Sequence, residues 1–320
     1  MPYPLPPKAA NALTAAKRLA RSLEGVRAVD YGYAYEDGKR TKRASVRFHM
    51  TQKKRVSRLT PDQKLPKTLE GIEVDVLETG YIPHSGAARA PQQVLQPGLS
   101  VGNLNLKTTG TVGALVQDLV TQNLCILSNW HVLCGGPEAA AGDGISQPGP
   151  MDLGSNPAHE VAKLERWLRL SEQYDAALAR VAANISSSSQ LFETAVTPMA
   201  TVAPALGMQV LKSGAVSGVT HAIVDGVGGS YRLDYSGFGD GPEWMAGFRL
   251  VPDPGAPVEA LSLEGDSGSL WVEAATGNAV GLHFAGEDDQ SPLNDYALAH
   301  PIEEILARLN IKLVVPQPGA

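Results

Sequence analysis

Gly265-Asp266-Ser267-Gly268-Ser269 carries the clearest chemical signal in the chain. A serine set between glycines fits a tight turn with its hydroxyl exposed, and the N–H groups beside it can point at a developing negative charge. A nucleophile and oxyanion donors from one short loop are what acyl transfer needs. Alone, such a string is ordinary turn material. Two other residues give it meaning. His131 follows the apolar run Leu124-Cys125-Ile126-Leu127, which reads as a buried strand anchoring the histidine at its end. Asp175 leads into Ala176, Ala177 and Leu178, a buried segment in which a carboxylate needs a donor such as a histidine N–H. Taken singly, His131 reads as a hydrogen-bonded core histidine and Asp175 as a strand-start or helix-cap residue. Together the three supply base, acid and nucleophile in the order His, Asp, Ser, 44 residues (131 to 175) and 92 residues (175 to 267) apart.

With those strings in view, the chain resembles the chymotrypsin/trypsin-like serine proteases of bacterial type. The resemblance is carried by Leu127-Ser-Asn-Trp-His-Val132, Tyr174-Asp-Ala-Ala-Leu178 and Gly265-Asp-Ser-Gly-Ser269. Lys212-Ser-Gly-Ala-Val-Ser-Gly-Val-Thr220 is similar to the strand before the nucleophile loop, and Asn278-Ala-Val-Gly-Leu-His-Phe-Ala-Gly286 to the strand lining the primary specificity pocket. The resemblance implies two six-stranded antiparallel barrels with the site between them and a C-terminal helix on the second. It implies Ser267 as nucleophile, His131 as general base and then acid, Asp175 as the group holding the imidazole, and the Gly265 and Ser267 N–H groups as oxyanion hole. In trypsin-like zymogens a new amino terminus pairs with the aspartate before the serine, which makes Asp266 an activation partner here; the alternatives are another cation or a turn-shaping role. The pocket floor falls on Leu261 and Ser262, and the lack of an acid there excludes a Lys/Arg preference. His283 sits where glutamyl endopeptidases resembling this motif carry a pocket histidine, so an acidic side chain is one expected substrate feature. An apolar pocket built with Leu261 and Phe284 is the other.

The bulk properties agree with such a protein. A length of 320 residues suggests about two domains, and 33 glycines with 23 prolines suit many short strands joined by turns. A net charge of −6 argues against a nucleic-acid surface. The first 80 residues are locally basic, from Lys17 to Arg55, without interleaved aromatic motifs, and read as a solvated face. Met1-Pro-Tyr-Pro-Leu-Pro-Pro-Lys8 lacks the apolar run of a secretory signal, and nothing approaches the ~18 apolar residues of a membrane helix. Cys125 and Cys134 bracket His131, and pairing in a small loop near the site is one reading; without a signal, reduced buried thiols in a cytoplasmic protein are the expectation, lacking the bridges usual in secreted trypsins. No metal or cofactor is expected, since two cysteines are too few for structural zinc.

The elements that must position these residues fall in two groups. Residues 8–24 have helical apolar spacing, 26–35 and 44–50 read as strands about a Glu36-Asp37-Gly38-Lys39 hairpin signal, Thr60-Pro61-Asp62 starts a short helix or turn, and Ile72, Val74 and Val76 alternate. Residues 1–80 therefore form a small α+β domain, similar in pattern to the compact pro-domains that precede some serine proteases, with a regulatory partner as a further expectation. Residues 81–97 read as a linker open to proteolysis, 98–315 as the mainly β double barrel, and 316–320 as a frayed tail. Strands are expected at 111–120, 124–127, 160–168, 176–181, 208–212, 219–224 and 270–273, with a helix at 301–309. The sequence reads as a cytoplasmic serine endopeptidase acting on protein or peptide, gated by its N-terminal domain. The alternative is a binding or regulatory module on a protease scaffold with its site held inactive.

Overall fold

The computed structural model describes residues 5–23, 26–36, 39–50, 60, 64–78, 87–153, 159–256, 260–286 and 295–315. The chain divides into two units, Met1–Pro83 and His84–Ala320. In the first, helix α1 (Pro7–Ala20) starts on a proline whose fixed φ suits the first helical position. Its buried stripe is Ala9, Ala12 and Ala16, and the small side chains let it pack close to Val46 and Phe48 of the sheet. That sheet holds β1 (Val26–Glu36), β2 (Lys39–Met50), β3 (Thr68–Leu69) and β4 (Ile72–Glu78) in the order β1-β2-β4-β3. The hairpin pairs Glu36 with Lys39, whereas β4 runs parallel to β2. Asp37, Gly38, Pro61, Asp62, the first part of the expected linker (81–86) and the tail 316–320 lie outside the described residues.

Residues 87–97, expected as linker, are packed into the second unit. Leu95 is buried and bridges to Ser187, and Arg89 Nε meets the Asp152 carboxylate at 2.5 Å. The strands that follow are β5 (Ser100–Asn103), β6 (Gly110–Thr111), β7 (Ala114–Asp118), β8 (Leu124–Ser128), β9 (Gly144–Ser146), β10 (Glu160–Trp167) and β11 (Ala177–Val181), with short helices α2 (Trp130–Leu133) and α3 (Pro150–Leu153) between them. Next come β12 (Gln209–Gly214), β13 (Gly218–Asp234), β14 (Pro242–Pro252), β15 (Leu270–Glu273), β16 (Ala279–Gly286), β17 (Ala297–Pro301), helix α4 (Ile302–Leu309) and β18 (Ile311–Leu313). Strands β12-β13-β14-β17-β16-β15 close as a six-stranded antiparallel barrel. The other half is an antiparallel sheet of eight strands among the described residues, in the order β18-β7-β8-β11-β10-β9-β5-β6, where six were expected. The difference comes from the edges: β18 returns after α4 to pair with β7, and the two-residue β6 adds beyond β5.

The barrel core holds Phe248, Leu261, Trp271 and Val280. Helix α4 buries Ile302, Ile305, Leu306 and Leu309 against Val116 and Leu127 of the sheet as well as Leu270 and Leu282 of the barrel, so it seals the seam rather than resting on the barrel alone. The β13–β14 hairpin is far longer than the strand expected at 219–224, with register shifts at Val224, Gly226 and Gly229. Gly226 and Gly229 sit at these irregularities of one continuous ribbon.

Candidate active site

Strand β8 is buried along nearly its whole length, and the chain leaves it at Asn129 into the single turn of α2 that carries His131. Asp175 lies just before β11, the neighbour of β8 in the sheet. The register Ala177↔Ser128 brings the two together, and the Asn129 side-chain amide donates to the Asp175 carbonyl at 2.7 Å. His131 Nδ1 then lies 2.5 Å from Asp175 Oδ2, while the His131 backbone N–H donates to Oδ1 at 3.2 Å. An ionised carboxylate only accepts, so the proton in this contact sits on His131 Nδ1. Asp175 is fully buried, yet the attraction and hydrogen bonds from His131, helped by His300, outweigh the burial that would raise it and hold its carboxyl below the usual range. The Asp175 N–H donates to His300 Nε2 at 3.1 Å, and His300 Nδ1 donates to the Ala246 carbonyl at 2.6 Å. Burial pushes His300 down to about 4, with His131 adding to the push against the pull of Asp175.

The nucleophile loop is held from both halves of the unit. Leu263 to Asp266 form a turn closed by the Asp266 N–H on the Leu263 carbonyl at 2.9 Å. Gly265 takes φ +102° at its third position, where a type II turn demands a positive φ. Thr111 ties this loop to β6. Its N–H donates to the Ser267 carbonyl at 2.8 Å, and its hydroxyl donates to the Gly265 carbonyl at 2.8 Å while accepting from the Ala215 N–H at 3.1 Å. The Gly265 and Ser267 N–H groups make no hydrogen bond among the described residues, so both donors are unspent. Ser267 reaches the histidine's neighbourhood across Gly110: a Cβ built there would lie 2.4 Å from Val132, next to His131, and 2.8 Å from the Ser267 carbonyl.

Asp266 points away from the site. Its Oδ2 accepts from Lys212 Nζ at 2.9 Å and from the Leu263 N–H at 3.0 Å, and its Oδ1 from the Val216 and Ser217 N–H groups at 3.0 Å each. Lys212 also donates to the Ser217 hydroxyl at 2.7 Å and lies 5.5 Å from the Trp271 ring centre. Both charges are fully buried, and burial raises the Asp266 carboxyl less than Lys212 and Ser217 lower it. Gly214 permits this closure, because a Cβ there would fall 2.4 Å from Asp266 Oδ1.

The residues expected to line a pocket do so unevenly. The Leu261 side chain turns into the barrel core, its N–H donates to Asp295 Oδ2 at 2.7 Å, and its carbonyl accepts from the Thr220 hydroxyl. Phe284 is buried with its ring stacked on His300 at 4.0 Å. His283 is buried edge-on to Trp271 at 6.3 Å, and its Nδ1 has no hydrogen bond among the described residues. Burial, and then the Lys212 charge, push His283 well below the ordinary histidine value. Ser262 does face Gly286, since a Cβ on that glycine would lie 2.4 Å from the Ser262 hydroxyl. Sequence reasoning missed Lys212 as the partner of Asp266, along with Thr111, Tyr235, His300 and Asp295. For Lys212 a signal existed: a lone lysine in an apolar strand, directly before Ser213-Gly214.

No family model matches the sequence, and no curated protein matches it. Solved structures do. The chain is similar to the Nocardiopsis protease NAPase at 14% identity and TM-score 0.50, over 69% of this chain and 99% of that one. It is similar to Thermobifida fusca protease A at 16% identity and TM-score 0.50, over 70% of this chain and all of that one. A glutamic acid specific serine protease, whose description gives it a histidine triad in substrate binding, matches at 19% identity and TM-score 0.48. The fold is that of the bacterial chymotrypsin-like serine proteases.

Proposed function

We propose that this protein is a serine endopeptidase whose nucleophile is Ser267. The observation that carries this reading is the 2.5 Å contact between His131 Nδ1 and Asp175 Oδ2, at the edge where the Ser267 loop arrives. The Ser267 hydroxyl attacks the scissile carbonyl carbon as its proton passes to His131 Nε2. The oxyanion takes the two unspent donors, Gly265 N–H and Ser267 N–H. Collapse breaks the C–N bond, and the imidazolium gives its proton to the leaving amine. Water, deprotonated by the same histidine, then releases the acyl group and restores the serine. Asp175 stabilises the imidazolium throughout.

Two finer points belong to the same reading. Lys212 already supplies the cation that a new amino terminus would bring to Asp266, so the intact chain is competent and cleavage in 81–97 is not its switch. The pocket is expected to reject acidic side chains: burial keeps His283 neutral, and the Asp295 carboxyl is taken up by the Leu261 N–H. Digesting a mixed peptide library with the full-length chain tests both. We expect cleavage without prior proteolysis and uncharged residues before the cut. Cleavage after Glu or Asp would overturn the pocket assignment, and activity that appears only after the linker is cut would overturn the first point.

The compartment proposed is the cytoplasm, because Cys125 and Cys134 are both unpaired buried thiols. Among the described residues, no helix is long and apolar enough to cross a membrane. Fractionation that recovers the chain outside the cell would contradict this placement.

A further inference from the structure

One contact to the acid has no part in the scheme above. Asp175 Oδ2 accepts not only from His131 Nδ1 but also from the Tyr235 hydroxyl, at 2.9 Å. Tyr235 comes from the tip of the β13–β14 hairpin, 60 residues further along the chain. The tip is a built structure. Asp234 Oδ1 accepts from the Ser236 N–H at 2.9 Å and its hydroxyl at 2.5 Å, and the Phe238 N–H closes on the Tyr235 carbonyl at 2.8 Å. Gly239, at φ +77°, turns the chain back. The Tyr235 ring is 3% exposed and meets Trp130 edge-on at 6.5 Å, and Phe238 lies 5.2 Å from the His131 ring.

The titratable groups gathered around this carboxylate are His131, His300, Tyr235 and the Cys134 thiol. Burial, and then the Asp175 charge, drive the Tyr235 hydroxyl far above its ordinary value, so it stays protonated and can only donate to the carboxylate. A carboxylate held on one side by an imidazole can rock about that bond. A second donor on the same oxygen, opposed by the His131 N–H on the other, fixes the plane of the group and with it the tilt of the ring.

We infer that Tyr235 is a positioning residue of the His131–Asp175 pair, so that the hairpin tip of the closed barrel completes the hydrogen bonding of an acid carried by the other sheet. The inference deepens the endopeptidase reading and rests on it for its effect on rate. Its geometric content can be tested separately.

The experiment compares the full-length wild type with Tyr235→Phe, using melting temperature as the control for folding. Proton NMR with ¹⁵N-labelled histidine reads the His131 Nδ1–H, and the best library peptide reads kcat and KM. In Y235F the Nδ1–H resonance is expected to shift and exchange faster with water, and kcat to fall about tenfold or more with KM nearly unchanged. Phe238→Leu, at the same tip but without a bond to Asp175, removes a ring 5.2 Å from His131 and so moves the resonance through the lost ring current, but is expected to keep the slow exchange of that proton with water. A Y235F chain that retains both resonance and kcat would overturn the inference. Should Y235F not fold, the wild type decides: its Tyr235 hydroxyl proton must show a cross-relaxation peak to the His131 Nδ1–H, and absence of that peak overturns the inference. If the wild type cleaves nothing yet the NMR changes appear, the positioning stands and the endopeptidase reading alone fails.

Discussion

Asp175 and Asp266 are both fully buried carboxylates held below their ordinary range, yet they are balanced in different ways. Asp266 faces a fixed ammonium, Lys212, and three backbone N–H groups. Asp175 faces a histidine, a tyrosine hydroxyl and a neutral second histidine on its backbone. The first set is a buried ion pair with backbone donors around it and serves to lock a loop. The second is built from groups that can gain or hold a proton, which under the endopeptidase reading suits an acid that answers a charge on its neighbour. Burial depth is the same in both places, so burial by itself does not mark the chemical residue. The identity of the counter-group does.

Substitution should separate the two. Asp175→Asn should leave the fold in place and lower peptide hydrolysis about 10⁴-fold, because an amide can present the wrong hydrogen-bonding face to His131. A steady-state assay beside a melting curve would show it, and a rate within tenfold of wild type would put Asp175 on the structural side. Lys212→Met should act the other way, destabilising the second unit by about 3–5 kcal/mol through the uncompensated Asp266 charge. Adding Asp266→Asn should recover part of that loss in denaturant unfolding, and failure to recover any would mean the pair is not the lock.

Acid provides a smaller, graded separation. The folded value of His300 is about 4 against 6.5 for the free side chain, so the unfolded chain takes up its proton first as pH falls. Its contribution is fully present above pH 6.5 and is lost between pH 6.5 and about 4, amounting to about 3 kcal/mol across that window. The depressed carboxyls of Asp175 and Asp266 behave as acids: their contribution is present above pH 3.8 and fades only below it. Unfolding free energies measured from pH 7 to 3 should therefore decline before the carboxylates titrate. His300→Gln, which keeps an acceptor for the Asp175 N–H and a donor for the Ala246 carbonyl, should make the upper part of the curve shallower, leaving the decline that buried His283 contributes in the same direction. A decline beginning only near pH 4 in the wild type would contradict this.

The sequence made legible the parts whose chemistry is written in adjacent residues. His131 after a buried strand, Asp175 before one and Ser267 between glycines are each local patterns, and the fold brings those three segments to one edge. The supporting residues were hidden because their roles depend on long-range packing. Tyr235 is one aromatic among polar neighbours until a hairpin carries it to Asp175, and His300 is an apolar-strand histidine until β17 lies beside the acid. Leu261 and Phe284 occupy the expected positions, but their side chains turn into the core, which strand alternation without a known register cannot reveal. Residues 87–97 looked like linker because Ala and Pro also suit segments that pack closely, as Ala88 and Leu95 do.

Whether Ser267 is a nucleophile activated by His131 in the intact chain is read out by intact-mass analysis after exposure to a fluorophosphonate. A single adduct is expected on the uncleaved full-length protein, mapping to Ser267, absent in Ser267→Ala and much slower in His131→Ala. A folded wild-type chain that takes up no adduct at neutral to mildly alkaline pH, or takes it up on another residue, would contradict it.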